Sequence, residues 1–380
     1  MLSLLFKQRQ RGEDNSMRII ILPTAGKANP YQVELARALE SCGAMVVVTD
    51  AKGRFPLLRA VRAWHKPNII HLHWTHSFIV ANTRMKTIAK GIRFLVELAL
   101  LKAKRIKVIW TVHNLLEHEK RHPFLELFFT RLAVRLYDHI IVHCCSAREA
   151  VMKTYHLPHW FRNKITVIPH PNYIGSYENS ISQAEARQRL GLAEKEIVFL
   201  YIGQIRPYKG VPYLLDVFLK FNVPRVRLVV AGKPSSNQLQ REIERKAKQD
   251  PRVLLRLEFI PAEELQVYLN AADVVVLPYK DILTSGAAVL AMSFGKPVIA
   301  PKLGCVAELI EEGVGGFLYD PEDEDGLLNA MRKAITANLR ALGEYNLQKA
   351  RELDWLRAAK ATLEVYQRCL GCGAQPNREG

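Results

Sequence analysis

The sequence has few of the features that reveal a protein's role at once. Its 380 residues include only six cysteines, scattered along the chain, so we expect no disulfide framework and a reducing compartment. No apolar run reaches the roughly 18 residues that can cross a bilayer as a helix. Helix-turn-helix, zinc-finger and RNA-binding signatures are missing, so no nucleic-acid partner is expected. What remains is a globular chain long enough for two or three domains.

Acidic residues are scarce in the first half of the chain. Residues 1–190 contain 29 Lys and Arg against 13 Asp and Glu, whereas residues 191–380 contain 25 against 24. The first half therefore carries nearly all of the formal net charge of +17. A one-sided basic surface suits nucleic acid or an anionic membrane. Because nucleic-acid signatures are missing, an anionic membrane surface is the expected partner.

The stretch at 201–210 organises the second half of the chain. An apolar run at 197–202 predicts a buried strand that breaks at Gly203, and the pattern at 211–221 predicts a helix. Gly203 lets the backbone approach a ligand, while Arg206 and Lys209 bring two cations to the partly positive start of that helix. Such a loop could hold a diphosphate. The alternative is an ordinary basic loop exposed to solvent.

Apolar runs and helical patterns alternate through both halves of the chain, which predicts α/β domains with parallel sheets. Ligands of such sheets bind at the carboxyl ends of the strands. We predict the following organisation: an N-terminal extension at 1–16, with Met17 as an alternative start, a first domain at 17–172, a linker at 173–190, a second domain at 191–350, a last helix at 351–370 and a disordered tail at 371–380.

Several motifs together resemble a known family. The pattern G-x-x-R-x-x-K-G at 203–210 and the segments 229–233, 272–279 and 291–301 resemble the donor half of a GT-B glycosyltransferase similar to family 4. The following N-terminal motifs, together with Thr284-Ser-Gly286, are most similar to bacterial exopolysaccharide mannosyltransferases of the xanthan type: Asn29-Pro-Tyr31, His71-Leu-His-Trp74, Thr111-Val-His-Asn114, His118-Glu119 and Ile168-Pro-His-Pro-Asn172. The resemblance covers roughly residues 17–365.

The resemblance implies two Rossmann-like domains facing a cleft, with the last helix crossing back to the first domain. It implies transfer of a hexose, with mannose favoured, from a nucleotide diphosphate sugar to a lipid-linked saccharide in exopolysaccharide assembly. GDP-mannose is the favoured donor and a UDP-sugar is the alternative. The expected location is cytoplasmic, peripheral on the inner face of the plasma membrane. No obligatory metal or other cofactor is expected, because Arg206 and Lys209 can neutralise the diphosphate.

The resemblance also implies site residues. His113 matches a histidine that lies near the donor sugar, and His113 and Glu119 are both candidates for the base that an inverting enzyme needs. Glu117 and Glu119 could instead be an acidic pair at a helix N-terminus. The acceptor-binding candidates are Asn29, Tyr31, His73 and Trp74, although a lone histidine is more often buried and structural. The donor-binding candidates are Gly203, Arg206, Lys209, Gly232, Ile260, Thr284, Ser285, Gly286 and Glu308.

The chain departs from family 4 at a pair of glutamates eight positions apart. Ile282 and Leu290 occupy those positions, which puts retention of anomeric configuration, donor identity and activity in doubt. The similar exopolysaccharide mannosyltransferases have a Ser- and Gly-rich replacement and invert. Two alternatives therefore stay open, a GT-B-fold sugar-nucleotide epimerase and a non-catalytic nucleotide-binding module that docks on membranes.

The segment 84–107 predicts a long basic helix that could lie on lipid headgroups. Its apolar stripe comprises Ile88, Ile92, Leu95, Val96 and Ala99, and its cations comprise Lys86, Lys90, Arg93, Lys102 and Lys104. Such a helix suits an anionic membrane surface. Core packing with a solvated basic face is the alternative.

Overall fold

A computed structural model describes residues 16–371 except 25, 27, 28, 51, 52, 65 and 118. The predicted extension before Ser16, the predicted disordered tail after Gly371 and His118 lie outside the described residues. Within the part that is described, no helix is both long enough and apolar enough to span a membrane. The described residues divide into two compact units, those up to Pro169 together with those from Trp355 onward, and residues 170–354.

The first unit is a six-stranded parallel sheet in the order β2-β1-β3-β4-β5-β6. Its strands are apolar runs with both faces covered, as β1 shows, where Ile19 to Leu22 are fully buried. The strands are β1 Arg18–Leu22, β2 Met45–Val48, β3 Ile69–Leu72, β4 Lys107–Thr111, β5 His139–Val142 and β6 Ile165–Val167. The helices are α1 Tyr31–Ser41, α2 Pro56–Ala63, α3 His76–Ile79, α4 Arg84–Ala103, α5 Pro123–Leu136 and α6 Cys145–Thr154.

The second unit repeats this plan, with the strand order β12-β11-β10-β7-β8-β9, all parallel. Its strands are β7 Ile197–Ile202, β8 Val226–Ala231, β9 Val253–Arg256, β10 Val274–Val276, β11 Val298–Pro301 and β12 Gly316–Tyr319. Its helices are α7 Gln183–Leu190, α8 Val211–Lys220, α9 Asn237–Ala247, α10 Leu265–Ala271, α11 Gly286–Ser293, α12 Val306–Leu309, α13 Gly326–Thr336 and α14 Leu339–Glu352.

The last helix, α15 Trp355–Leu370, belongs to the first unit. Its buried face packs on α1 and β4, and the hydroxyl of Tyr366 lies 2.6 Å from Nδ1 of His71. Apolar packing and one buried hydrogen bond therefore tie the end of the chain to the first sheet.

Part of the predicted linker at 173–190 is regular structure. Residues 183–190 form α7, and Arg187 on this helix is buried, with its guanidinium 2.6 Å from a carboxylate oxygen of Asp273. This ion pair fastens α7 to the start of β10 within the second unit. Only the segment before α7 lacks helix and strand.

Gly91→Ala should destabilise the first unit. A Cβ at Gly91 in α4 would lie 2.4 Å from the ring of Phe129 in α5. Overpacking of this kind costs about 1–3 kcal/mol, whereas Gly to Ala in an open helix is stabilising by roughly 0.5–1 kcal/mol. The free energy of unfolding, measured by denaturant titration, should therefore fall.

The double variant Gly91→Ala/Phe129→Leu is the control for this prediction. A smaller side chain at 129 makes room for the new methyl group. Phe129→Leu should therefore lower the free energy of unfolding less in the Gly91→Ala background than in the wild type. Equal or higher stability of Gly91→Ala alone would contradict the close contact between α4 and α5.

Candidate functional site

Three neighbouring strands of the first sheet are each followed by a histidine. His73 comes directly after β3, His113 two residues after β4, and His143 directly after β5. Because β3, β4 and β5 are adjacent and parallel, their carboxyl ends meet at one edge. The ring centroids of His73 and His113 are 5.2 Å apart, and those of His113 and His143 are 5.3 Å apart. The sequence pattern alone could have indicated this cluster.

The structure brings together three further residues with His113. Nδ1 of His73 lies 2.9 Å from Nε2 of His113, so the two rings share a proton in one hydrogen bond. The indole of Trp74 stacks on His113 with centroids 4.4 Å apart and planes inclined by 12°. Tyr31 meets His113 edge-on at 5.0 Å. We call His73, Trp74, His113 and Tyr31 the aromatic cluster.

Three buried histidines of this edge, His71, His73 and His143, have lowered pKa values and are uncharged at pH 7. Burial lowers the pKa of His73 well below 6.5, and the neighbouring histidines add to the effect. Burial likewise lowers the pKa of His71 to about 3 and that of His143 to about 4. A neutral imidazole has one donor and one acceptor nitrogen. His73 can therefore fix the protonation site of His113 without adding a positive charge.

His71 has a structural role that the sequence did not reveal. Its Nδ1 binds the hydroxyl of Tyr366, and its Nε2 lies 2.7 Å from Oγ1 of Thr111. Both ring nitrogens are thus used within the fold. By contrast, Nε2 of His73 is buried and has no hydrogen-bond partner among the described residues. The interpretation of a satisfied buried histidine therefore fits His71 and not His73.

Asn29 lies at the start of α1. Its Oδ1 accepts the N–H of Tyr31 at 3.0 Å, which stabilises the turn into the helix. The turn positions Tyr31 in the aromatic cluster. A contact of Asn29 with an acceptor stays a prediction.

Glu119, the other candidate base, is exposed in the loop before α5. Its carboxylate lies 3.7 Å from Nε of Arg121. The same guanidinium binds Glu117. Burial alone would raise the pKa of Glu117, but the hydrogen bonds and charge of Arg121 outweigh burial and lower that pKa. Neither glutamate lies in the first turn of α5, where Glu126 is the acidic residue. The helix N-terminal pair is therefore not what the structure contains.

Glu126 is a functional candidate that the sequence reasoning missed. It is buried, and its Oε1 accepts the N–H of Glu117 at 2.8 Å. Its Oε2 is buried and has no hydrogen-bond partner among the described residues. Glu126 lines a small cavity together with Trp74, His113 and Asn114. Burial raises the pKa of this carboxyl to about 7. A lone acidic residue between apolar neighbours, Leu125 and Leu127, was the available signal in the sequence.

Glu126→Gln should flatten the pH dependence of unfolding. The pKa of Glu126 is raised from 4.5 to about 7 in the folded chain. The protonated carboxyl therefore stabilises the folded chain fully at pH values below the pKa of Glu126 in the unfolded chain. This stabilisation, about 3 kcal/mol, is lost as pH rises through the pKa in the folded chain. Glutamine cannot ionise and keeps an oxygen for the Glu117 N–H. The variant should gain stability relative to wild type as pH rises from about 5 to about 8.

Thr130→Val is the matched control, since Thr130 lines the same cavity and does not ionise in this range. It should change stability without changing its dependence on pH, as followed by denaturant unfolding across the pH series. If Glu126→Gln kept the wild-type dependence of stability on pH, the premise that burial raises the pKa of Glu126 would be wrong.

The donor-side glycines lie together at the edge of the second sheet. Gly203 follows β7 with φ of +128°, and Gly232 follows β8 with φ of +148°. A Cβ at Gly232 would lie 1.9 Å from the carbonyl oxygen of Gly203. Both positions therefore need glycine for their backbone conformation, and Gly232 needs it also because a side chain would not fit.

The two predicted cations sit in the loop between β7 and α8, which we call the donor loop, residues 203–210. Arg206 precedes a 3-10 turn at Pro207–Lys209, and Gly210 in a left-handed conformation begins α8. The guanidinium of Arg206 donates a hydrogen bond of 3.3 Å to Oε1 of Gln204. The loop thus places both cations at the carboxyl end of β7.

Ser285 is the N-cap of α11. Its Oγ accepts the N–H of Ala288 at 3.2 Å, and Gly286 is the first residue of the helix. A Cβ at Gly286 would lie 3.3 Å from the hydroxyl of Tyr173 and 4.0 Å from Nε2 of His170. Thr284 immediately precedes the cap. The helix N-terminus therefore opens beside two polar side chains.

The other two donor candidates lie at the same edge of the sheet. Ile260 follows β9 and is partly exposed, and Glu308 is exposed on the short helix α12 after β11. Because β7 to β11 are parallel neighbours in one sheet, their following loops share one side. Binding of a donor by these residues stays a prediction.

No metal site is evident in the described ranges, where no group of three or more His, Cys, Asp or Glu is placed to hold an ion. The chain does contain an Asp-x-Asp triplet, Asp323-Glu324-Asp325. Here Oδ1 of Asp323 accepts the N–H of Asp325 at 3.0 Å in the turn before α13. The triplet therefore stabilises this turn.

Comparison with known proteins agrees with this arrangement. Residues 182–349 match the family model for glycosyl transferases group 1. The chain is 28% identical, over 90% of its length and 89% of the relative, to GDP-mannose:glycolipid 4-beta-D-mannosyltransferase of Xanthomonas campestris pv. campestris.

Solved structures agree on the fold. Sucrose-phosphate synthase from Thermosynechococcus elongatus superposes with a TM-score of 0.72 at 20% identity, covering 94% of this chain and 100% of that one. HepE from Anabaena in complex with UDP-glucose superposes with a TM-score of 0.70 at 21% identity, covering 93% and 100%. With the two six-stranded parallel sheets, these neighbours confirm the predicted GT-B fold.

Proposed function

We propose that this chain, whose residues 182–349 match the family model for glycosyl transferases group 1, is a glycosyltransferase that moves a hexose, mannose in first place, from a nucleotide diphosphate sugar to a lipid-linked saccharide. We place this reaction in cell-surface polysaccharide assembly. The observation that carries the proposal is the donor edge of the second unit, where two cations and a capped helix N-terminus occur together. The similarity to a GDP-mannose:glycolipid mannosyltransferase supports GDP-mannose as donor.

The donor edge suits a diphosphate leaving group. As the bond between the anomeric carbon and the phosphate oxygen breaks, negative charge grows on the diphosphate. Arg206 and Lys209 supply positive charge, and the free amides at the start of α11 supply oriented dipoles. These groups stabilise the departing nucleoside diphosphate without a metal ion.

The aromatic cluster suits the acceptor side of the reaction. Transfer requires that the acceptor hydroxyl lose a proton as its oxygen bonds to the anomeric carbon. His113 is the base we favour, because its partner His73 is neutral and holds it in one orientation. Trp74 and Tyr31 offer the flat apolar surfaces on which sugar rings pack. The proton is thus left on His113 and the diphosphate leaves from the donor edge.

Nucleoside diphosphate binding tests the donor half of the proposal. Calorimetry with GDP, UDP, ADP and dTDP, with and without magnesium, should show binding with a preference for GDP. Arg206→Ala and Lys209→Ala should each weaken it by about 1.5–3 kcal/mol, as expected for charge-assisted hydrogen bonds. Lys349→Ala, which removes an exposed lysine on α14, is the matched control and should bind as wild type does.

The outcomes separate the competing functions. Preference for UDP would keep transfer but change the sugar, and unchanged affinity in both cation variants would refute the donor edge. Release of GDP from GDP-mannose only when a glycolipid acceptor is present supports transfer. Conversion of the sugar nucleotide without acceptor would indicate an epimerase, and binding without turnover would indicate a non-catalytic module.

Two packed helices of the first unit support a membrane-facing role. Helices α4 and α5 contact each other, and each exposes a row of apolar side chains. On α5 the row is Phe124, Phe128 and Leu132, which are 87%, 55% and 38% exposed. On α4 the exposed apolar residues are Met85, Ile92, Val96 and Leu100. We call these two rows the apolar face.

The structure revises the predicted role of α4. Its packing face is formed by other residues, including Gly91, Phe94 and Leu98, so Ile92 and Val96 of the predicted stripe point outward. Lys90 does not face lipid, since its Nζ donates to the carbonyl oxygens of Ser77 and Val80. Arg93 lies 3.7 Å from the carboxylate of Glu97. The cations left to meet an anionic surface are Lys86, Lys102 and Lys104.

Replacing Phe124 and Phe128 by serine should weaken binding to vesicles that contain phosphatidylglycerol. Full burial of one phenyl ring contributes about 1.5–3 kcal/mol, and partial burial of two rings contributes a similar amount, so vesicle sedimentation should show affinity lower by about tenfold or more. The unmodified protein should prefer these vesicles to phosphatidylcholine alone, and the preference should fall with salt.

Leu219→Ser is the matched control because Leu219 is similarly exposed, at 45%, but lies on α8 of the second unit. It should sediment with vesicles as wild type does. Absence of any preference for anionic vesicles at low salt would end the membrane part of the proposal and leave the donor part intact.

A further inference from the structure

A buried tyrosine lies beneath both parts of the donor edge. Tyr279 follows β10 and is 2% exposed. Nζ of Lys209 lies 4.0 Å from the centroid of its ring, and Oγ of Ser285 lies 3.3 Å from its hydroxyl oxygen. One side chain therefore contacts a cation of the donor loop and the residue that caps α11.

The ring holds Lys209 without neutralising it. A lysine side chain is flexible, and an aromatic face within about 6 Å attracts its ammonium group. In the part of the chain that the structure describes, no carboxylate lies within ion-pair distance of Lys209. The ammonium group thus keeps its charge and its N–H donors for an anionic ligand. A carboxylate in place of the ring would orient Lys209 but cancel the charge.

The hydroxyl of Tyr279 contacts Ser285, the residue that caps α11. Oγ of Ser285 accepts the N–H of Ala288, so its own O–H is available to Tyr279. This second hydrogen bond fixes the rotamer of the cap. The amides at the start of α11 therefore stay aligned.

The backbone around Tyr279 also supports the donor loop. The N–H of Lys280 donates to the carbonyl oxygen of Tyr208 at 2.8 Å. A Cβ at Gly210 would lie 1.8 Å from the carbonyl oxygen of Pro278. The donor loop is thus seated directly on residues 278–280, with the ring of Tyr279 under its lysine.

We propose that Tyr279 is a positioning residue that aligns Lys209 and Ser285 for the diphosphate of the donor. The inference rests on the proposed function, in which Lys209 and the start of α11 meet that diphosphate. Tyr279 acts through these two groups and does not itself take part in the bond-breaking step.

A double-mutant cycle between positions 279 and 209 tests the inference, with GDP and UDP as probes in calorimetry. Tyr279→Leu removes both ring and hydroxyl and should weaken binding about 3- to 30-fold, the range of a buried cation–π contact. In the Lys209→Ala background the same substitution should weaken binding by a clearly smaller factor, because only the contact with Ser285 is then left to lose. Tyr279→Phe keeps the ring and should lose less than Tyr279→Leu.

Tyr319→Leu controls for general destabilisation, since Tyr319 is a buried tyrosine at the end of β12 in the same unit. It should lower the melting temperature and leave affinity for the nucleotide unchanged. An equal loss on Tyr279→Leu in both backgrounds would assign Tyr279 a purely structural role and overturn the inference.

Two further results keep the test decisive. If Tyr279→Leu does not fold, Tyr279→Phe is combined with Ser285→Ala, and additive losses would overturn the role of the hydroxyl. Wild-type protein that binds neither nucleotide would overturn the proposed function together with the inference. Binding that falls in Lys209→Ala but not in Tyr279→Leu would overturn the inference alone.

Discussion

The parallel register of the two sheets is the constraint on which both candidate sites depend. In a parallel sheet every strand ends on the same side, so residues far apart in sequence are brought to one edge. His73, His113 and His143 meet because β3, β4 and β5 are neighbours. The donor loop and the capped α11 lie at one edge for the same reason. At the edge of the second sheet the backbones after β7 and β8 lie in contact, and they can do so because Gly232 has no Cβ to meet the carbonyl oxygen of Gly203.

The two edges solve opposite electrostatic problems. The first unit carries most of the positive charge of the chain, yet burial lowers the pKa of His73 in its aromatic cluster well below 6.5, which keeps that side chain uncharged at pH 7. The second unit is nearly balanced in charge, yet its donor loop presents Lys209 without a carboxylate partner among the described residues. Local burial and local pairing, not the net charge of each half, therefore set the chemistry at each edge.

The sequence predicted those features that depend on short-range patterns. The apolar run at 197–202 indicated β7, and the pattern at 211–221 indicated α8; the structure contains both. Long-range contacts were missed. Tyr366 binds His71 across 295 positions of sequence, and no periodicity encodes such a pair. The burial of Glu126 was missed because the sequence shows its helix but not the face that packs.

The helix α4 shows a different limit. An apolar stripe and a basic row were both visible in its sequence, but an amphipathic pattern does not say which face is covered. The contact with α5 decides this, because Gly91 admits the ring of Phe129. The outward residues then include Ile92 and Val96, and Lys90 is used to bind carbonyl groups.

The absent glutamate pair has a physical consequence at the donor edge. Ile282 is buried and Leu290 packs against the core of the second unit, so apolar groups fill the positions at which similar retaining enzymes carry carboxylates. A carboxylate at either position would add negative charge to the second unit, which the apolar side chains do not. In the proposed function, Arg206, Lys209 and the amide dipoles at the start of α11 then stabilise the leaving diphosphate. In that proposal the acceptor hydroxyl gives up its proton to a group of the first unit, and His113, oriented by its hydrogen bond with His73, is the residue we favour for that step.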